Sequence, residues 1–134
     1  MSTFHLQIVT PEGASFDGEA ESLTVRATTG ELTILPRHID YVAALGMGPA
    51  HIVQEGKRRY AACIGGMLAV TAGQVRLIAT TFEWADEIDV PRAEQALERA
   101  KTLLLENTRP KEELQTILAA KRRAEVRIAA AKLA

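Results

Sequence analysis

All nine glycines of this chain fall in its first 73 residues, and the stretch after them is dominated by Ala, Leu, Glu, Lys and Arg. Glycine supplies turns and close backbone approach but weakens helices, which alanine and the straight-chain residues favour. A chain divided this way reads as a turn-rich first part and a helical second part, with the change near Trp84. Its 134 residues, 47% hydrophobic and 25% charged, have a globular composition. They leave room for one ordinary domain or a small domain plus an appendage.

The first part carries seven or more short apolar runs separated by turn residues. Phe4–Val9 ends at Thr10-Pro11-Glu12-Gly13, Ser22–Ala27 at Thr28-Thr29-Gly30, and Leu32–Leu35 at Pro36. Ala50–Val53 is separated from Arg59–Ile64 by Gln54-Glu55-Gly56-Lys57. Met67–Thr71 and Gln74–Thr80 flank Ala72-Gly73, a short hairpin signal. Phe4, Leu6 and Ile8 alternate with His5 and Gln7, giving one buried face. Many short strands at this spacing predict a sandwich or barrel. Gly65-Gly66 lies between two runs and reads as a bulge or a close backbone approach.

In the second part Asp89 is a good N-cap, with Pro91 tolerated in the first helical turn. Ala93, Ala96, Leu97, Ala100, Leu103 and Leu104 follow helical spacing until Asn107-Thr108-Arg109-Pro110. A second helix opens with Glu112 and Glu113 and closes with basic residues, matching the helix dipole. Its apolar positions are Leu114, Ile117, Leu118, Ala124 and Ile128. The expected class is α+β, β then α: a β-sandwich over 1–85 and an antiparallel two-helix hairpin over 86–134. Alanine buries little area, so the two helices are expected to be robust and their mutual packing weak. Such a hairpin suits opening and re-docking on another protein; a hairpin fixed against the β domain is the other reading.

Several function classes are disfavoured. A net charge of −1 argues against a general nucleic-acid binder. No apolar run approaches a membrane span, and the start has neither a basic n-region nor an h-region, so direct membrane insertion and a signal peptide are not expected. The single cysteine, Cys63, reads as a buried strand residue in a reducing, cytosol-like compartment. His5, His38 and His51 have no metal-ligand spacing, and no nucleophile elbow, P-loop or dinucleotide fingerprint is present. The chain is not expected to be an enzyme or to require a metal.

The arginines of the second part are more informative. Arg92 and Arg99 are seven apart, and Arg123 and Arg127 four apart, each pair on one helix face. If the helices fold back on each other, four guanidiniums can converge. Like charges brought together cost free energy unless an anion or carboxylates compensate. A polyphosphate suits this need, because arginine binds phosphate oxygens in bidentate fashion. Glu83 and Asp89 are the nearby candidates for orienting an arginine. A set of solvated surface charges is the competing reading. From Lys121 onward there are five basic residues against one acidic residue, Glu125, so this end suits an acidic protein surface.

Three stretches carry a resemblance. Gly30-Glu31-Leu32-Thr33-Ile34-Leu35-Pro36-Arg37-His38 resembles the Gly-Glu-Leu-Gly-Ile-Leu-Pro-Gly-His stretch of bacterial ATP synthase epsilon subunits. Ile64-Gly65-Gly66-Met67-Leu68-Ala69-Val70 resembles their Ser-Gly-Gly-Phe-x-Glu-Val, and Phe4–Pro11 is similar to their first strand. The resemblance implies a β-sandwich of about ten strands and a helical hairpin. It implies a non-catalytic rotor role in the central stalk, with the β domain on the gamma subunit and the ring of c subunits. Glu31, Arg37 and His38 fall in that contact stretch. The hairpin would extend to inhibit ATP hydrolysis, its Arg122, Arg123 and Arg127 then meeting the beta subunit, with alpha alongside. The implied location is peripheral, on the cytoplasmic side of a bacterial plasma membrane.

Ile88-Asp89-Val90-Pro91-Arg92-Ala93 matches the Ile/Leu-Asp-x-x-Arg-Ala motif of family members that bind ATP in the folded hairpin. On that resemblance Glu83, Ile88, Asp89, Arg92, Ala93, Arg99, Arg123 and Arg127 would form an ATP site. ATP is then a regulatory ligand and not a required cofactor; magnesium is left open. Thr33 and Arg37 depart from the family's glycines, Ile39-Asp40 from its Ala-Pro, and Ala69 from its glutamate. Two other functions compete: a free-standing nucleotide sensor using the same arginines, and a carbohydrate- or nucleic-acid-binding β domain. The 4% aromatic content argues against the stacking platforms of the last.

Overall fold

The computed structural model describes residues 2–106 and 109–134. Seven strands come first: β1 (Phe4–Thr10), β2 (Gly13–Ala20), β3 (Ser22–Ala27), β4 (Gly30–Ile34), β5 (Tyr41–Gln54), β6 (Lys57–Thr71) and β7 (Gln74–Trp84). A single 3-10 turn, Ala85–Glu87, leads to helices α1 (Val90–Leu104) and α2 (Lys111–Lys132). The strand order is β2-β1-β7-β6-β5-β3-β4. The β1–β7 pair is parallel and every other pair antiparallel.

This sheet forms both layers of a sandwich because its three long strands change face midway. In β6 the core side is Ala61 and Cys63 before Gly65-Gly66 and Leu68 and Val70 after it. In β7 it passes from Val75, Leu77 and Ala79 to Phe82 and Trp84, and in β5 from Leu45 to Ala50 and Ile52. The side-chain period of a strand is two, so a switch from odd to even positions turns the inner face over. The expected count was about ten strands. Counting the two halves of β5, β6 and β7 separately brings seven to ten. The runs Arg59–Ile64 and Met67–Thr71, separate in the sequence reading, are the two halves of β6.

The turn between them is the close approach that Gly65-Gly66 signals. Both glycines have positive φ, 68° and 122°. A Cβ on Gly66 would overlap the carbonyl oxygen of Ile78 and lie 2.8 Å from Ala79 Cα. Ala72 and Gly73 also both have positive φ, 50° and 79°, as a two-residue hairpin turn requires.

The hairpin lies folded on the sheet. Asp89 caps α1, its Oδ1 accepting the Arg92 amide at 3.1 Å, with Pro91 in the first turn. α1 ends at Leu104; of the expected stop, Asn107 and Thr108 lie outside the described residues. Arg109 bridges the helix ends, bonding Glu106 at 2.6 Å and Glu113 at 2.5 Å. α2 carries the main contact with the strands. Val126 and Ala130 pack on Ala62 and Ile64 of β6 together with Ile88, flanked by Met47 and Val90. Val126 and Ala130 are buried although neither is among the apolar positions expected of α2. Leu118, assigned to the apolar face, is 50% exposed, and Ala96 is exposed as well.

Candidate functional site

The halfway face switch decides what β7 offers to the hairpin. Beyond Thr80, Phe82 and Trp84 point into the sandwich, which turns Thr81 and Glu83 outward. Glu83 pairs in register with Ala62, itself in contact with the hairpin, so its carboxylate faces α2. The Nε of Arg127 donates to Glu83 Oε1 at 2.5 Å, the two side chains 29% and 35% exposed.

Around this pair opens a cleft of about 800 Å³. Glu83, Asp89, Arg92, Ala93, Arg99 and Arg127 line it. Six of the eight residues expected in an ATP site therefore share one concavity. The other two do not. Ile88 is buried in the small cluster under α2, and Arg123, one turn before Arg127, is not among the lining residues. The cleft thus joins three guanidiniums and not four, drawn from both helices.

The far wall is not among the residues expected from the sequence. Thr10, Pro11 and Glu12, the turn between β1 and β2, line the cleft, as do Thr80 and Gln95. Gln95 sits three residues after Arg92, a spacing that places both on one helix face and could have found it. The β1–β2 turn reaches the site only because β1 runs parallel beside β7, a long-range pairing with no local signal.

The basic residues expected to meet an acidic partner are spread over the docked face. Arg122 donates to the Met47 carbonyl at 3.4 Å, while Arg127 holds Glu83. Glu31 lies in β4, opposite Arg26 of β3. Arg37 takes a left-handed backbone conformation, φ 65°, where the family motif has glycine. His38 bonds through Nδ1 to the Ile39 carbonyl at 2.7 Å, its ring 6.0 Å from Tyr41. Beside it, Leu35, Ile39 and Val42 are 56%, 76% and 60% exposed.

Two titratable groups in the strands are shifted. Burial pushes the Cys63 thiol up to about 12, so it remains an uncharged core residue. His51 is held below its ordinary 6.5, first by burial and then by the Arg58 guanidinium, with Glu31 opposing. Among the described residues no group of three or more His, Cys, Asp or Glu is arranged to hold a metal, and no helix is long and apolar enough to cross a membrane.

The family model of the ATP synthase delta/epsilon chain, β-sandwich domain, matches residues 3–85, the whole stretch of strands. That match defines the class as a β-sandwich of delta/epsilon type. An ATP synthase epsilon chain of Alkaliphilus oremlandii is 46% identical over 103 residues, 77% of each chain. That of Bacillus licheniformis is 37% identical over 122 residues, 91% of this chain and 93% of its relative. The chain belongs to the ATP synthase epsilon chain family. The fold extends the likeness: a chain in a cryo-EM structure of the Euglena gracilis mitochondrial ATP synthase (OSCP/F1/c-ring, rotational state 1) superposes with TM-score 0.84. It is 21% identical and aligned over all of this chain and 83% of that one.

Proposed function

We propose that this chain is a non-catalytic rotor subunit of the central stalk of a bacterial F-type ATP synthase. In this reading the β-sandwich, 1–85, seats on the gamma subunit and the c-ring through the stretch that carries Glu31, Arg37 and His38. It is a peripheral protein on the cytoplasmic side of the plasma membrane. The hairpin, 86–134, folds or extends; extended, it inhibits ATP hydrolysis, presenting Arg122, Arg123 and Arg127 to the beta subunit beside alpha. The membership and the exposed apolar side chains Leu35, Ile39 and Val42 around His38 support the first part.

The folded hairpin binds ATP as a regulatory ligand. One observation carries this: the Arg92, Arg99 and Arg127 cleft draws its wall from α1, α2 and β7 together. It exists only when the hairpin is folded and docked, so an anion bound there stabilises that conformer. Arg123 is dropped from the site and remains a candidate for the beta-subunit contact. Calorimetric titration of the full chain with ATP, with and without magnesium, tests the reading. Binding lost in Arg92→Ala supports it; no heat at millimolar ATP overturns it.

A further inference from the structure

Three arginines in one cleft should repel, and the folded hairpin would then need a bound anion to stay closed. Within the folded chain a carboxylate offsets part of that charge. The carboxylate of Glu83 lies 2.5 Å from Nε of Arg127, each side chain about two-thirds covered. The two groups belong to elements 44 residues apart in sequence, one in the sheet and one on the hairpin. The pair stands beside the small apolar contact of Val126 and Ala130 on Ala62 and Ile64. A short, partly dry, charge-assisted hydrogen bond is a substantial share of so thin a contact.

We propose that Glu83 and Arg127 form a ligand-free latch that sets the resting population of the docked hairpin and thereby limits how far a nucleotide can shift it. The latch itself stands on the ion pair; its regulatory consequence rests on the ATP reading above. A ligand selects the docked state only to the extent that this state is not already filled. With the latch made, the hairpin is largely docked and ATP adds little closure. With it removed, docking becomes dependent on the nucleotide. Glu83 is in this sense a positioning residue: it holds Arg127 at the cleft before any phosphate arrives.

Amide hydrogen exchange of α2 in the full chain is the test, with the amides of β6 and β7 as an internal control for the fold. Glu83→Gln and Arg127→Gln should each raise the open fraction of α2 about fivefold, the worth of a partly buried ion pair. The double variant should open no further than the more open single one, because both remove the same interaction. At an ATP concentration shown by calorimetry to saturate the variant, ATP should restore more protection to Glu83→Gln than it adds to the wild type. Unchanged α2 exchange in Glu83→Gln, with β6 and β7 protected, overturns the latch, as do additive effects of the two single changes. If ATP gives no heat with the wild type, the nucleotide reading falls and the regulatory half with it; if ATP binds Glu83→Gln yet adds no protection, the regulatory half alone falls; the exchange of the variants without ATP decides the latch in either case.

Discussion

The sandwich and the hairpin are held by very different amounts of apolar surface. Inside the sandwich Leu6, Ile8, Leu23, Val25, Ile34, Ile52, Leu68, Val70 and Leu77 are almost fully buried, with Phe82 and Trp84 in the same core. Under the hairpin the buried set is Ala62, Ile64, Ile88, Val126 and Ala130. Burial stabilises by roughly 25 cal/mol per Å² of apolar surface, so alanine-rich contacts hold weakly. One half is a permanent platform. The other rests on a smaller, alanine-containing contact, which in the proposed reading a single ion pair or ligand can tip.

The sharpest way to break the platform is at its face switch. Gly66→Ala adds a methyl group that overlaps the Ile78 carbonyl at a φ of 122° that only glycine tolerates. The expected loss is about 3 kcal/mol or more, seen as a collapse of the denaturation midpoint of the sheet. An unaltered midpoint would show that β6 has another way across this point. The matching change under the hairpin is Val126→Ala, worth about 1.5 kcal/mol for two buried methyl groups. Here α2 amides should exchange faster while those of β6 and β7 keep their protection. A global loss spread equally over both regions would merge the two halves into one cooperative unit and end the comparison.

This contrast was partly visible in the amino acids alone. The turn residues and alternation located most strands, and Asp89 and Pro91 located the start of α1, because these signals are local. β2 was not seen, since Gly-Ala-Ser-Phe-Asp-Gly-Glu-Ala alternates poorly and owes its strand to pairing with β1. The fusion of two runs into β6 was missed because Gly65-Gly66 punctuates the sequence without ending the ladder. Six of the eight proposed ligand residues converge, yet the Glu83–Arg127 pair depends on the odd-to-even switch in β7, which no local pattern announces. Val126 sits among charged neighbours and is buried only by the sheet beneath it.

A smaller effect probes strain in the platform without touching its core. Arg37 holds φ 65°, a conformation that costs a residue with a Cβ about 1–2 kcal/mol. Arg37→Gly relieves that strain but frees the unfolded chain, for a net gain of roughly 0.5–1 kcal/mol. Urea denaturation checks it. A loss of stability instead would mean that the Arg37 side chain makes a stabilising contact of its own, in keeping with its place in the proposed gamma and c-ring stretch.

The smallest effect separates the two regions by pH. The folded sheet keeps His51 neutral to lower pH than its ordinary 6.5, chiefly by burial and then by Arg58. The unfolded chain therefore takes up the proton first as pH falls. His51 contributes stability at pH above 6.5, and that contribution drains away as pH drops through 6.5 toward the lower folded value. Comparing the wild type with His51→Gln isolates this share from the other titrating groups: the difference between the two denaturation curves should shrink on acidification. Glu31→Gln removes the one charge that opposes the shift and should steepen the wild-type loss. Because His51 lies in β5, between His51–Thr24 and His51–Tyr60 strand pairs, the response belongs to the sheet. If α2 exchange follows the His51 titration while sheet stability does not, the imidazole is coupled to hairpin docking, and the boundary between platform and movable part must be redrawn to include the outer face of β5.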